Sequence, residues 1–249
     1  MAGLASKSVI AGLLWLAMAA PALADAGEFL ARVAAAHGGG AAPSAMHERG
    51  MTESARRGKG PVERWWQAPD RFRIDIRYSG AAESRLLRGA EAWQQGRPAT
   101  AEFHRALVLQ AARMGLAWRL LENATQVSDL GTRPDSAGKT ARVLEWRVRD
   151  DIRLIVEIDP ATLLIRRSHG ILSFNNSSME FATGYEDYRT VDGRQVAMTE
   201  RHYAMGQFIG TTTLDSVEFP AVLPAPTFNP AAAGLSARSA GSPRGEAGA

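Results

Sequence analysis

The sequence predicts a mainly β (α+β) protein: a single curved antiparallel sheet of about ten strands, a helical insertion that lids it, and a short amino-terminal helix. Three observations predict this class. From Met46 onward most of the chain alternates apolar and polar residues with period two, the pattern of strands that bury one face. Turn residues recur between these stretches, as in Ala68-Pro69-Asp70, Asp159-Pro160-Ala161-Thr162 and Asp192-Gly193. A single long segment, Ala101 to Glu122, returns to helical period.

The amino terminus sets the compartment. Met1 to Ala24 carries Lys7, an apolar run from Val9 to Ala20, and the small-x-small end Ala22-Leu23-Ala24, which reads as a signal peptide with the mature chain starting at Asp25. The run is short for a membrane span, Pro21 closes it, and no later stretch approaches that length. An exported periplasmic protein is expected. None of the 249 residues is cysteine, which excludes disulfides, thiolate metal sites and the acylated cysteine of a bacterial lipoprotein. The formal charge of +3 is close to balance, and without a long basic block nucleic acid is not an expected partner.

The elements then follow in order. Asp25 to Ala36 spaces Phe29, Leu30 and Val33 as a short helix, which Gly38-Gly39-Gly40 stops. Met46 to Arg56 is a strand, and Val62 to Tyr78 is two strands divided at Pro69, because proline removes a ladder donor. In the second, Phe72, Ile74, Ile76 and Tyr78 share one face while Arg71, Arg73, Asp75 and Arg77 take the other, read as the wet side. Arg85 to Leu87 and Ala92 to Gln94 form a hairpin about Gly89. In the helical segment Phe103, Leu107, Ala111, Met114, Trp118 and Leu121 make one stripe, and Gly115 predicts a bend or two short helices. Strands follow over Arg142–Arg149, Ile152–Ile158, Leu163–His169, Ile171–Phe174, Met179–Tyr188, Gln195–Met205 and Phe208–Phe219. One domain is expected over residues 25–230. Composition shifts to Pro, Ala, Gly and Ser from Ala221, and Ala231 to Ala249 is expected to be disordered.

No catalytic constellation emerges. The five histidines, His37, His47, His104, His169 and His202, lack the spacing of metal ligands, and there is no nucleophile elbow or phosphate loop. Glu157 and Asp159 could pair as carboxylates, but a solvated strand beside a turn accounts for them, and turn chemistry accounts for Asn175-Asn176-Ser177-Ser178. No catalytic residue, metal or cofactor is therefore assigned. Five tryptophans, Trp65, Trp66, Trp93, Trp118 and Trp146, give the mature chain a heavy aromatic load. One helical insertion is too little to cover a whole sheet face, so part of that face should be open to a ligand.

The order of these features resembles the LolA/LolB-like superfamily of periplasmic lipoprotein carriers and lipid-binding proteins. The likeness spans Asp25 to Pro230 and is sharpest over Glu63 to Gly96, where Trp65 or Trp66, Pro69, Phe72, Ile74 and Trp93 follow the family's order; EDYRTVDGRQV resembles one of its late hairpins. The resemblance implies an unclosed, strongly curved barrel, lidded by helices, whose concave cavity takes acyl chains. It implies a non-enzymatic, monomeric carrier of lipid or lipidated protein between inner- and outer-membrane proteins. Cavity residues would be Trp65, Phe72, Ile74, Ile76, Leu86, Trp93, Leu107, Met114 and Trp118. Leu107, Met114 and Gly115 would belong to a moving lid, so that Gly115→Ala slows lipid exchange. The same fold also implies a second reading, a sensor or adaptor that signals by protein contact. One departure stands out: the carriers place a lid-latching arginine just before this proline, and here that residue is Ala68.

Overall fold

The computed structural model describes residues 19–135, 137–175 and 177–231. Most of the expected signal peptide, all but the first residue of the expected disordered tail, and Asn176 of the Asn175–Ser178 turn lie outside the described residues. Helix α1, Ala19–Ala36, runs from before the expected mature start at Asp25. As expected it ends at three glycines, each with positive φ.

Among the described residues thirteen strands form one antiparallel sheet, more than the ten or so expected. A first meander comprises β1 (Ala45–Ser54), β2 (Gly58–Gln67), β3 (Arg71–Tyr78), β4 (Ala81–Arg88), β5 (Glu91–Gln94) and β6 (Arg97–Pro98). Helices α2 (Ala101–Arg113) and α3 (Leu116–Glu122) follow, with Gly115 between them at φ +60°, so the bend expected there is a break into two helices. The second meander runs through β7 (Val127–Pro134), β8 (Thr140–Arg149), β9 (Ile152–Ile158), β10 (Ile165–Phe174), β11 (Ser177–Val191), β12 (Arg194–Ala204) and β13 (Gln207–Glu218). β13 pairs with β1 at the centre, and β6 and β7 lie at opposite edges, so the barrel is unclosed.

The strand count differs for local reasons. β6 is two residues long. β7 carries Ser, Asp, Gly, Thr, Arg and Pro in place of an apolar alternation, because it is an edge strand with little to bury. The two segments expected over Leu163–Phe174 are one strand passing through Gly170. Leu163 belongs to the preceding turn at φ +60°, where the Asp159 carboxylate accepts from the backbone N–H groups of Ala161 and Thr162. Met205, expected within a strand, forms a tight turn with Gly206, both at positive φ like Asp192 and Gly193.

Two apolar clusters lie between sheet and helices. One joins α1, α2 and α3 to β8–β10 around Leu30, Leu109, Trp146 and Leu154; the other joins α2 to β1–β4 around Trp66, Phe72, Leu87 and Leu107. A third cluster lies on the opposite face, where Leu223 and Phe228 cover Ala45, Leu86, Trp65 and Trp93. This corrects the reading of β3's charged face as merely wet. Arg73 is 6% exposed. It donates to Asp75 at 2.6 Å and to the Thr227 carbonyl at 3.0 Å beneath the carboxy-terminal strap.

Candidate functional site

The concave face and the helices enclose a cavity of about 470 Å³. Strand alternation builds its apolar wall: Phe72, Ile74 and Ile76 project from one side of β3, joined by Val62 and Met46 from β2 and β1. Met114, Gly115 and Trp118, at the α2–α3 junction, roof it.

The helices sit close because Gly170 offers bare backbone. A Cβ there would come within 2.3 Å of Leu109, so α2 seats Leu109 directly on β10. Three arginines tie the helices down. Arg105 donates to Asp151 at 2.6 Å. Arg113 donates to the Ser168 hydroxyl at 3.0 Å and the Phe181 carbonyl at 2.6 Å. Arg119 donates to the Ala111 carbonyl and lies between the rings of Trp66 and Trp146, 5.7 and 5.3 Å from their centroids, so one α3 side chain bridges the two halves of the sheet. With Ala68 before the proline, the lid is fastened from its own side.

Part of the concave wall is polar and charged. Arg64 lies 2.7 Å from both Glu48 and Glu200. His202 shares a 2.9 Å hydrogen bond with Thr212, which donates to Thr52. Tyr185 shares a 3.0 Å hydrogen bond with Ser168. Burial pushes the Glu48 carboxyl up, more than Arg64 pulls it down. Burial likewise opposes the Glu200 charge, yet Arg64, His202 and Arg113 hold that carboxyl below its usual range. Burial also opposes the Arg64 charge, but Glu200 and Glu48 outweigh it and raise the guanidinium pKa. Burial lowers His202 to about 4, leaving it neutral, and raises the Tyr185 phenol to about 12.

At the other limit of the cavity Tyr203, Phe181 and Ile209 form a lip. Met179, Met205, Phe208 and Ile209 are exposed there, Met205 at 62%. Tyr203 and Phe208 meet edge to face, with Arg167 over the first ring and Arg201 over the second.

Of the expected cavity residues, the structure brings Phe72, Ile74, Ile76, Met114 and Trp118 together on the cavity wall. Leu107 packs fully buried behind them. Trp65, Leu86 and Trp93 are a correction: they point to the convex face under the strap. Register gives the reason, since Trp66 and Leu87 pair with Phe72 whereas Trp65 and Leu86 pair with Arg73, and Trp93 pairs with Leu86. The concave tryptophan of β2 is therefore Trp66. Glu157 and Asp159 do not form a pair: Glu157 bonds His169, and Asp159 bonds its turn and Arg166. Sequence reasoning missed Arg64, Glu48, Glu200 and Arg113. For Arg64 a signal existed, because it stands two residues before Trp66 and so faces the same way.

No protein-family model matches the chain, and no curated protein matches it. Solved structures do. A domain described as outer membrane lipoprotein-sorting, from Vibrio parahaemolyticus, aligns with TM-score 0.50 at 13% identity, covering 85% of this chain and 99% of that one. A DUF1329 family protein from Desulfovibrio piger aligns with TM-score 0.51 at 10% identity, covering 85% and 98%. A LolA superfamily protein from Nitrosomonas europaea aligns with TM-score 0.52 at 10% identity, covering 82% and 97%. The unclosed sheet, the helices across its concave side and these alignments agree: the chain has a LolA-like fold.

Proposed function

We propose that this chain is a periplasmic, non-enzymatic carrier that takes an acyl chain, lipid or lipoprotein into its concave cavity and moves it between membrane proteins. The observation that carries the reading is an apolar-walled cavity of about 470 Å³ under a helical roof, a size suited to a single small ligand. Each methylene buried there gains about 0.8 kcal/mol, so Phe72, Ile74, Ile76 and Met114 suffice to retain a chain. The exposed Met205, Phe208 and Ile209 at the lip suit handover, since apolar surface of this kind marks contact sites. No helix among the described residues is long and apolar enough to cross a membrane, in keeping with a carrier that docks transiently.

Native mass spectrometry with lipid extraction tests the reading on protein purified gently from the periplasm of its host. The expected result is a stoichiometric co-purified lipid or acylated peptide, lost in a folded Phe72→Glu, Ile74→Glu double variant. A clean ligand-free mass that resists loading with any lipid would sink the carrier reading in favour of a sensor or adaptor.

A further inference from the structure

We propose that the cavity recognises the head of its ligand as well as the chain: Arg113, with Arg64, forms a receptor for an acidic head group, a carboxylate or phosphate borne on an acyl chain. This rests on the carrier reading and names the ligand class. A cavity meant for hydrocarbon alone gains nothing from buried guanidinium groups, which are costly to desolvate. Yet three line this one, Arg64, Arg85 and Arg113.

Their partners differ. Arg64 is held between two carboxylates, at 2.7 Å from each, but its buried Nη2 has no hydrogen-bond partner. Arg113 makes no ion pair among the described residues; its Nε and one Nη serve a hydroxyl and a carbonyl. The remaining Nη takes no protein acceptor and is not sealed from the cavity that the side chain lines. Glu200 and Tyr185 act electrostatically on both guanidinium groups, which places the two in one zone. Burial weakens the Arg113 cation, and Tyr185 and Glu200 offset this only in part.

Among the buried polar atoms of that zone without a hydrogen-bond partner are two donors, Arg64 Nε and Nη2, and one acceptor, Glu48 Oε2. Glu200 is committed to Arg64. Glu48, pushed toward its neutral form by burial, becomes a donor when protonated. Spare donors thus exceed spare acceptors, and an anionic, acceptor-rich head complements them, because guanidinium groups bind carboxylate and phosphate by parallel charge-assisted bonds. Arg85 differs from Arg113 in having a carboxylate of its own strand: Glu83 pairs with it and also with the exposed Arg57. The head would lie inward against Arg113 and the chain along Phe72 and Ile74.

The test is displacement of a neutral polarity-sensitive fluorophore from the full exported chain by ligands of equal chain length. Hexadecanoic acid, hexadecyl phosphate, methyl hexadecanoate and hexadecanol are compared, with inorganic phosphate as a chain-free arm. The acid and the phosphate are expected to bind about tenfold tighter than the ester and the alcohol. Arg113→Met should reduce the roughly tenfold ratio of acid to ester affinity to about twofold, whatever the lost roof tie costs both ligands together, and Arg113→Lys should retain part of the ratio. Equal binding of acid and ester by the unmodified protein would overturn the head receptor and leave the carrier reading standing; failure of every amphiphile to bind would remove both. Competition by inorganic phosphate as strong as that of hexadecyl phosphate would replace the amphiphile with a free anion. Parallel loss of acid and ester affinity in both variants, with their ratio kept, would limit Arg113 to its roof tie and end the proposal.

Discussion

Phe72 and Arg73 are neighbours in the chain, and both are buried, but the surfaces they serve are built to opposite ends. On Arg73's side the strap packs down on the apolar residues: Leu223 and Phe228 press on Leu86, Trp65 and Trp93, and Thr227 takes a guanidinium hydrogen bond at the edge of a groove of about 570 Å³ rimmed by charged residues such as Arg49, Glu63 and Asp75. On Phe72's side the roof stands off the sheet and leaves about 470 Å³. The strap follows the last strand and buries Leu223 and Phe228 against Ala45 and Leu86, so it contributes stability. The roof comes from the middle of the chain, is tied by three arginines, and keeps the strand faces apart from the helices over part of their length. Similar apolar residues therefore hold the fold together on one face and shape a cavity on the other.

The strongest break of this comparison is Phe228→Ala. The ring is 3% exposed, and truncating a buried phenylalanine costs about 3–5 kcal/mol, so urea unfolding should show a loss of that order. Ligand affinity should not change, because the strap does not line the cavity. A matched loss of affinity would mean that the two faces are coupled through the sheet.

Gly170→Ala attacks the other face, with an expected loss of about 1–3 kcal/mol, since the added methyl would meet Leu109 at 2.3 Å in a filled core. Leu109→Ala should then cost less in the Gly170→Ala background than alone, and the double-mutant cycle measures that coupling. Purely additive losses would show that α2 does not rest on β10 through this contact.

How much of this was legible in the sequence depends on which face a residue serves. Period-two alternation located β1–β4 and β8–β13, because each buries at least one face, and Gly115 marked the α2–α3 break through its backbone freedom. The edge strand β7 was not legible, since an edge with little to bury needs no apolar alternation. The strap was hidden for a different reason. Leu223 and Phe228 stand in a Pro- and Ala-rich stretch that composition assigns to a tail, and only the fold brings them over β4. That omission misplaced Trp65, Leu86 and Trp93, because a convex face with no visible cover sends every large apolar residue to the cavity. The charged part of the cavity needed register: Arg64 opposes Ile74, Glu48 opposes Arg64, and Glu200 reaches the same zone from β12 across β13.

The smallest expected effect concerns that charged zone and separates the faces by pH. His202 is neutral in the fold, with its pKa lowered by burial from 6.5 to about 4, so the unfolded chain binds the extra proton first. Its contribution to stability is therefore whole above pH 6.5 and declines as the pH falls toward 4. The 28% exposure of the side chain toward the cavity screens part of this, leaving a loss of about 1 kcal/mol between pH 7 and pH 5. Glu200, held low, loses stability in the same direction below 4.5, whereas Glu48, pushed up, works the other way because its charged form is the costly one. The difference between the unmodified chain and His202→Gln isolates the imidazole: urea midpoints at the two pH values should converge in the variant and stay apart in the parent. Equal pH sensitivity in both would mean that His202 exchanges protons with solvent through the cavity as freely as a surface histidine, and the polar wall would then be a wet extension of the mouth.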